Sequence, residues 1–172
     1  MSKIGIMIDN QASQLINQQI GHEFFAFYQY VALSTWLDAE ALPVLSNYFA
    51  LQAEEERQHG MKMIKFLNDT DQTIEMPAIP KPKSTFASVE QAIQMAYEQE
   101  IRVTDQIKAI YDAASQANDR ITQNFMQWFL EEQVEEVASM DTLLKITRRA
   151  DSDLFRIEDF VAREGHPEQN GE

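Results

Sequence analysis

Glu23, Glu56, His59, Glu100 and Glu136 are the side chains of this sequence with the type and spacing to do chemistry. Each glutamate interrupts an apolar stripe read at alternating steps of three and four residues. The first stripe is Ile16, Ile20, Glu23, Phe27, Tyr30, Ser34, Leu37, and the second is Leu45, Phe49, Gln52, Glu56, His59, Met63, Phe66. The third is Ile93, Tyr97, Glu100, Thr104, Ile107, Tyr111, and the fourth is Met126, Phe129, Gln133, Glu136, Met140, Leu143. Residues at this spacing share one face of a helix. A carboxylate there is withdrawn from water, and a buried charge without a partner is strongly unfavourable. Glutamates at matching depth in several helices need a common partner, and a cation is the simplest one. Glu56-Arg57-Gln58-His59 adds an imidazole one turn from a carboxylate on the same face. Glu-x-x-His on a bundle helix, with glutamates from its neighbours, is how carboxylate-bridged di-iron sites are assembled. Oxygen donors with a single nitrogen suit iron or manganese better than copper.

The competing reading for each glutamate is a solvated face. It applies most to Glu136, in the acidic run Glu131, Glu132, Gln133, Val134, Glu135, Glu136, and least to Glu100, whose face Tyr97, Thr104 and Ile107 define. Glu55, Glu132 and Glu135 form a further acidic cluster beside the first, either an ordinary charged surface or an outer metal position. His22 falls off the metal face, and His166 lies in a tail expected to fray.

The elements that position these residues follow from local signals. A first helix is expected over about 9–40, capped by Asp9 or Asn10. A second is expected over about 43–69, with Pro43 in its first turn. Residues 70–86 hold Pro77, Pro80 and Pro82 and are expected to be non-helical. Ser88 with Gln91 signals the start of a third helix reaching about residue 116. Asn118 or Asp119 caps a fourth, about 119–149, and a short amphipathic fifth covers about 152–163 through Leu154, Phe155, Ile157, Phe160 and Val161. The two short joints make antiparallel hairpins. The connection between the second and third helices is long enough to cross the whole bundle and let those helices run parallel. The expected fold is all-α: a single-domain four-helix bundle over residues 1–172 with one long crossover.

At 172 residues the chain has room for a substantial core. Its net charge of -14 repels nucleic acid and anionic membranes and gathers cations, although solubility alone is another use for such charge. Without cysteine there is no disulfide, zinc-thiolate site or cysteine-ligated cluster. The start MSKIGIMIDN has no long apolar segment, and no run reaches spanning length, so a cytoplasmic protein is expected.

Together these residues resemble the non-haem bacterial ferritins. The similarity covers residues 8–164 and rests on the Glu23-to-Tyr30 face, QAEEERQHGMKMIKFL, YEQEIRVTDQI and FMQWFLEEQVEEV; with DLFRIEDFVARE it is nearest the actinobacterial and cyanobacterial kind. The resemblance implies a first iron held by Glu23, Glu56 and His59, and a second held by Glu56, Glu100 and Glu136, with Glu56 bridging. It implies a third iron position at Glu55, Glu132 and Glu135 with help from Glu136. Gln133 matches a glutamine near the dinuclear pair, Tyr30 a tyrosine proposed in relatives to donate an electron, and Trp128 a nearby tryptophan; ordinary packing is the alternative for both aromatics. It further implies a ferroxidase that takes Fe(II) and either dioxygen or hydrogen peroxide, a hollow 24-mer filled with ferric oxide mineral, a fifth helix at the four-fold axis, and a part in iron homeostasis. Asp112 and Asp119 are candidates for a pore, or are plain loop acids. Haem is not expected, because Arg57 stands where bacterioferritins place a methionine. Glu136-Val137-Ala138-Ser139 lacks the second Glu-x-x-His of most di-iron oxidases. The rival readings are therefore a di-iron or manganese–iron oxidase that keeps its metals, and a bundle or metal buffer without redox chemistry.

Overall fold

The structure, a computed structural model, describes residues 8–151 and 153–166; the expected helix start at Ser152 and the stretches 1–7 and 167–172 lie outside them. Helices α1 (Asn10–Ala39), α2 (Pro43–Asp69), α3 (Val89–Gln116), α4 (Arg120–Arg149) and α5 (Leu154–Glu164) carry the fold, and no strand occurs among the described residues.

The caps explain the boundaries. Asp9 accepts from the Ala12 N–H, and its own N–H donates to Asp119 Oδ2 at 2.9 Å. Asp119 also accepts from the amides of Ile121 and Thr122, so one carboxylate caps α4 and ties the starts of α1 and α4 together. Ser88 accepts from the Gln91 amide, while Gln91 Oε1 reaches back to the Ala87 amide at 2.9 Å rather than to Ser88 itself. Helix α2 begins at Pro43 without a cap from its own flank. Glu158 of α5 fills that role, accepting from the Val44 and Leu45 amides at 3.2 and 2.8 Å. A carboxylate is well placed there, where free N–H groups and the positive end of the helix dipole coincide.

Two apolar clusters reveal the topology. One joins Leu33 and Leu37 of α1, Leu45 and Phe49 of α2, Ala92 and Ile93 of α3, and Met140 and Leu143 of α4. The other joins Ile16 and Ile20, Met63 and Leu67, Ile107 and Ile110, and Met126 and Phe129. Helices α2 and α3 thus start at the same end and run parallel, antiparallel to α1 and α4. This is the expected bundle with its long crossover.

The crossover lies along α1. Asn17 donates to the Thr73 carbonyl at 3.0 Å and accepts from the Glu75 amide at 3.0 Å. Further on, Gln29 donates to the Lys83 carbonyl at 2.8 Å and accepts from the Lys83 amide at 2.9 Å. Between these clasps the chain passes so near α1 that a Cβ at Gly21 would sit 2.5 Å from Pro77 Cγ. Only glycine admits that approach.

Helix α5 packs on the first cluster through Ile157 and Val161, with Phe160 half-buried. Leu154 and Phe155 turn outward, Phe155 with 87% of its surface exposed, so the expected apolar stripe is only partly used within the chain. The expectation of a frayed tail from Gly165 onward is corrected at its first residues. Gly165, at φ 71°, ends α5 and turns the chain so that His166 is 3% exposed.

Candidate metal centre

The four glutamates lie between the two apolar clusters. Glu23, Glu56, Glu100 and Glu136 are buried, each near the middle of its helix, and His59 is buried with them. Their ligand atoms form two groups of three within 4.8 Å of one another: Glu23, Glu56 and His59, and Glu56, Glu100 and Glu136. Glu56 belongs to both. These are the two sets that the resemblance implies. His59 Nδ1 is 3.3 Å from Glu56 Oε2, 4.0 Å from Glu23 Oε2 and 3.9 Å from Glu136 Oε1.

Each carboxylate is gripped from outside by a neutral donor. Gln19 Nε2 donates to Glu23 Oε1 at 2.9 Å. Gln52 Nε2 lies 3.2 Å from Glu56 Oε1 and 3.3 Å from Glu136 Oε1, donating to both. The Tyr30 hydroxyl donates to Glu100 Oε1, and Gln133 Nε2 donates to Glu136 Oε2. Thr104 orients Gln133, donating to its Oε1 at 2.7 Å. The second oxygens of Glu23, Glu56 and Glu100 make no hydrogen bond although fully buried. Buried carboxylate oxygens left bare are rare in folded proteins and point to a missing partner. The inner oxygens converge without protein donors, as ligands awaiting a cation would.

Electrostatics agree. Burial, then the nearby Glu56 carboxylate, holds Glu23 well above the ordinary carboxylate range, with His59 pulling the other way. The same two causes lift Glu100 to about 8 against the opposing pull of Tyr30 and His59, and burial with Glu56, Glu100 and Glu23 lifts Glu136. For His59, burial disfavours the charged ring, but Glu56 and then Glu23 outweigh it and raise the imidazole to about 9. Without a metal, protons fill the role of the cation. Tyr30 is driven far above its ordinary range by burial and by Glu100 and Glu56, so it stays a neutral donor.

Other expected residues fall differently. Trp128 and Phe129 stand edge-on to the His59 ring at centroid distances of 5.6 and 5.7 Å, and the Lys62 ammonium lies 3.1 Å from the Trp128 ring centre. Glu55 is buried, Glu132 half-buried and Glu135 exposed, and with Glu136 they do not bring three ligand atoms together. His22 is exposed, off the metal face as expected. Asp119 uses its carboxylate on backbone caps. Sequence reasoning gave Gln19 and Gln52 no role, yet a signal existed: each stands four residues before a glutamate of the centre, where an amide reaches that carboxylate. It also set aside His166, which packs against Tyr48 at a ring distance of 4.6 Å.

Comparison with known proteins bears on this geometry. The family profile for the ferritin-like domain matches residues 13–150. Ferritin BfrB of Mycolicibacterium smegmatis is 45% identical over 157 residues, covering 91% of this chain and 87% of that protein. The bacterial non-heme ferritin of Staphylococcus aureus is 34% identical over 147 residues, 86% of this chain and 89% of that one. Among solved structures, an open pore ferritin from the hyperthermophilic archaeon Archaeoglobus fulgidus matches with a TM-score of 0.87 and 31% identity over 92% of this chain and 97% of that chain.

Proposed function

The chain belongs to the ferritin family of iron-storage proteins, and from that premise we propose that it is a ferroxidase. In this reading two Fe(II) ions are the substrate. One is taken by Glu23, Glu56 and His59, the other by Glu56, Glu100 and Glu136, with Glu56 between them. Dioxygen or hydrogen peroxide accepts the electrons, and the Fe(III) formed is hydrolysed and stored as ferric oxide within a hollow 24-mer in the cytoplasm. The observation that carries the reading is the set of buried, bare oxygens of Glu23, Glu56 and Glu100, those of Glu23 and Glu56 facing His59 Nδ1. Hard anionic oxygen stabilises Fe(III) over Fe(II), so this donor set favours loss of the electron.

The surrounding residues have distinct parts. Gln19 and Gln52 hold the outer oxygens of Glu23 and Glu56 and leave their second oxygens for iron, while Gln52 and Gln133 between them hold both oxygens of Glu136. Tyr30 holds Glu100 from the opposite side, close enough to supply an electron. Such outer contacts orient ligands and tune affinity. Glu132 and Glu135 draw cations toward the centre. The second position has carboxylate ligands alone and binds less firmly, which favours onward movement of oxidised iron over retention. A metal-retaining di-iron oxidase is the weaker reading for the same reason.

Metal-free protein loaded aerobically with Fe(II), several tens of ions per chain, tests the proposal. Oxygen uptake with iron co-eluting on a very large assembly supports it. Iron limited to two or three ions per chain on a small oligomer indicates the retained-metal oxidase, and binding without oxygen uptake indicates a passive buffer.

A further inference from the structure

A second pairing of imidazole and carboxylate sits just outside the dinuclear layer. His166 Nδ1 lies 3.2 Å from Glu55 Oε1, and His166 Nε2 lies 3.2 Å from Gln52 Oε1. Gln52 fixes the state of that ring. Its NH2 group is committed to Glu56 and Glu136, so its Oε1 accepts and His166 Nε2 carries the proton. Nδ1 then turns toward Glu55. Despite their closeness it makes no hydrogen bond, although it is fully buried. The arrangement repeats that of His59 Nδ1 and Glu56 Oε2, which are 3.3 Å apart with no hydrogen bond to the oxygen. Glu55 and Glu56 are consecutive in α2, and each meets the Nδ1 of a histidine.

A neutral nitrogen lone pair and a carboxylate oxygen repel unless something positive lies between them. Ligand atoms about 2.0–2.2 Å from one divalent ion stand about 3 Å apart when they subtend roughly a right angle, which matches the observed separation. We propose that Glu55 and the C-terminal His166 hold a divalent transition-metal ion of their own, with solvent completing its coordination. A nitrogen and a carboxylate together select Fe(II)- or Zn(II)-like ions over calcium or magnesium. An entry exists beside it: a cavity of about 290 Å³ between α2, α4 and α5, lined by Tyr48, Glu135, Ser139, Glu164 and Gly165. Most of its wall is apolar, but Glu135 and Glu164 supply negative charge, and Gly165 precedes the ligand. The nitrogen donor comes from the segment after α5, a ligand set unlike the all-carboxylate third position expected from Glu55, Glu132 and Glu135. The assignment does not depend on whether the neighbouring centre oxidises its ions.

Crystals of the assembled protein equilibrated with Zn(II) test it, with anomalous density read at the zinc edge. The expected result is a peak about 2.1 Å from His166 Nδ1 and in contact with Glu55, apart from those at the dinuclear centre. Equilibrium dialysis with Zn(II) should show one ion fewer per chain in both His166→Ala and Glu55→Gln, with the dinuclear ions kept at saturating metal. Absence of density at His166 overturns the proposal whether or not the dinuclear centre fills, as does an unchanged ion count in His166→Ala. Filling of the dinuclear positions is read separately in the same maps, so the fate of the ferroxidase reading is decided independently.

Discussion

Raising the pH of metal-free protein removes the protons that stand in for iron, and stability should fall as they leave. Glu100 is held at about 8 in the fold against 4.5 for an ordinary glutamate. The folded state therefore binds this proton more tightly than the unfolded chain. The associated stability is complete below pH 4.5 and is lost as pH climbs through about 8. His59, at about 9 against 6.5, has the same sign and loses its contribution between those values. The difference for Glu100 corresponds to about 5 kcal/mol at most. Since His59 answers to the same carboxylates, the two contributions are not additive, and we take the Glu100 figure of about 5 kcal/mol as the working magnitude. In a chain of this size each kcal/mol moves the melting temperature by about 2–4 °C, so the expected fall is about 10–20 °C between pH 5 and 9. Calorimetry on chelated, assembled protein measures it. Zn(II) should reverse the trend, because its ligands must shed protons to bind. Glu100→Gln should flatten the metal-free slope and melt above the wild type at pH 8. A metal-free melting temperature that holds or rises across this window, with helicity intact, would show that the glutamates are not buried together and would sink the centre as described.

Three further outcomes follow from the same contacts. Glu56→Ala removes the residue common to both ligand groups and should abolish the fast phase of Fe(II) oxidation in stopped-flow absorbance; an unchanged initial rate removes Glu56 from the bridge. Tyr30→Phe deletes the donor to Glu100 and should weaken Zn(II) binding about tenfold by calorimetric titration, so unaltered affinity would detach Tyr30 from the centre. Glu158→Ala uncaps α2 and should lower stability by about 1–2 kcal/mol in chemical denaturation, with faster amide exchange at Val44 and Leu45; protection at wild-type levels there would contradict the capping role.

Much of this was legible in the sequence because helical bundles advertise themselves locally. The apolar periodicity set the four long helices, Asp9, Ser88 and Asp119 marked their starts, and a glutamate in each stripe marked the centre. Burial of Glu23, Glu56, Glu100 and Glu136 shows why interruption of an apolar face is a strong signal. The less legible features are all long-range. Glu158 reaches across 113 residues of sequence to the Leu45 amide, and no local pattern announces such a partner. Asn17 and Gln29 look like surface amides until the crossover lies against them. The outer acids illustrate a limit of proximity in sequence. Glu132 and Glu135 each stand one residue before Gln133 and Glu136, and one residue rotates a side chain about 100° around the helix. His166 was hidden for another reason: its position depends on the turn at Gly165, which a tail of polar residues does not foretell.

The division of the apolar interior into two separate clusters has a consequence for how such a chain handles its cargo. Each cluster grips all four long helices at its own end, like two collars on a sheaf. The span between them is spared the task of holding the sheaf together. Side chains there can swap a proton for a metal ion, and give it up again, while the helices stay in register. Traffic through the middle can therefore change how stable the bundle is without changing which helices meet or in what register.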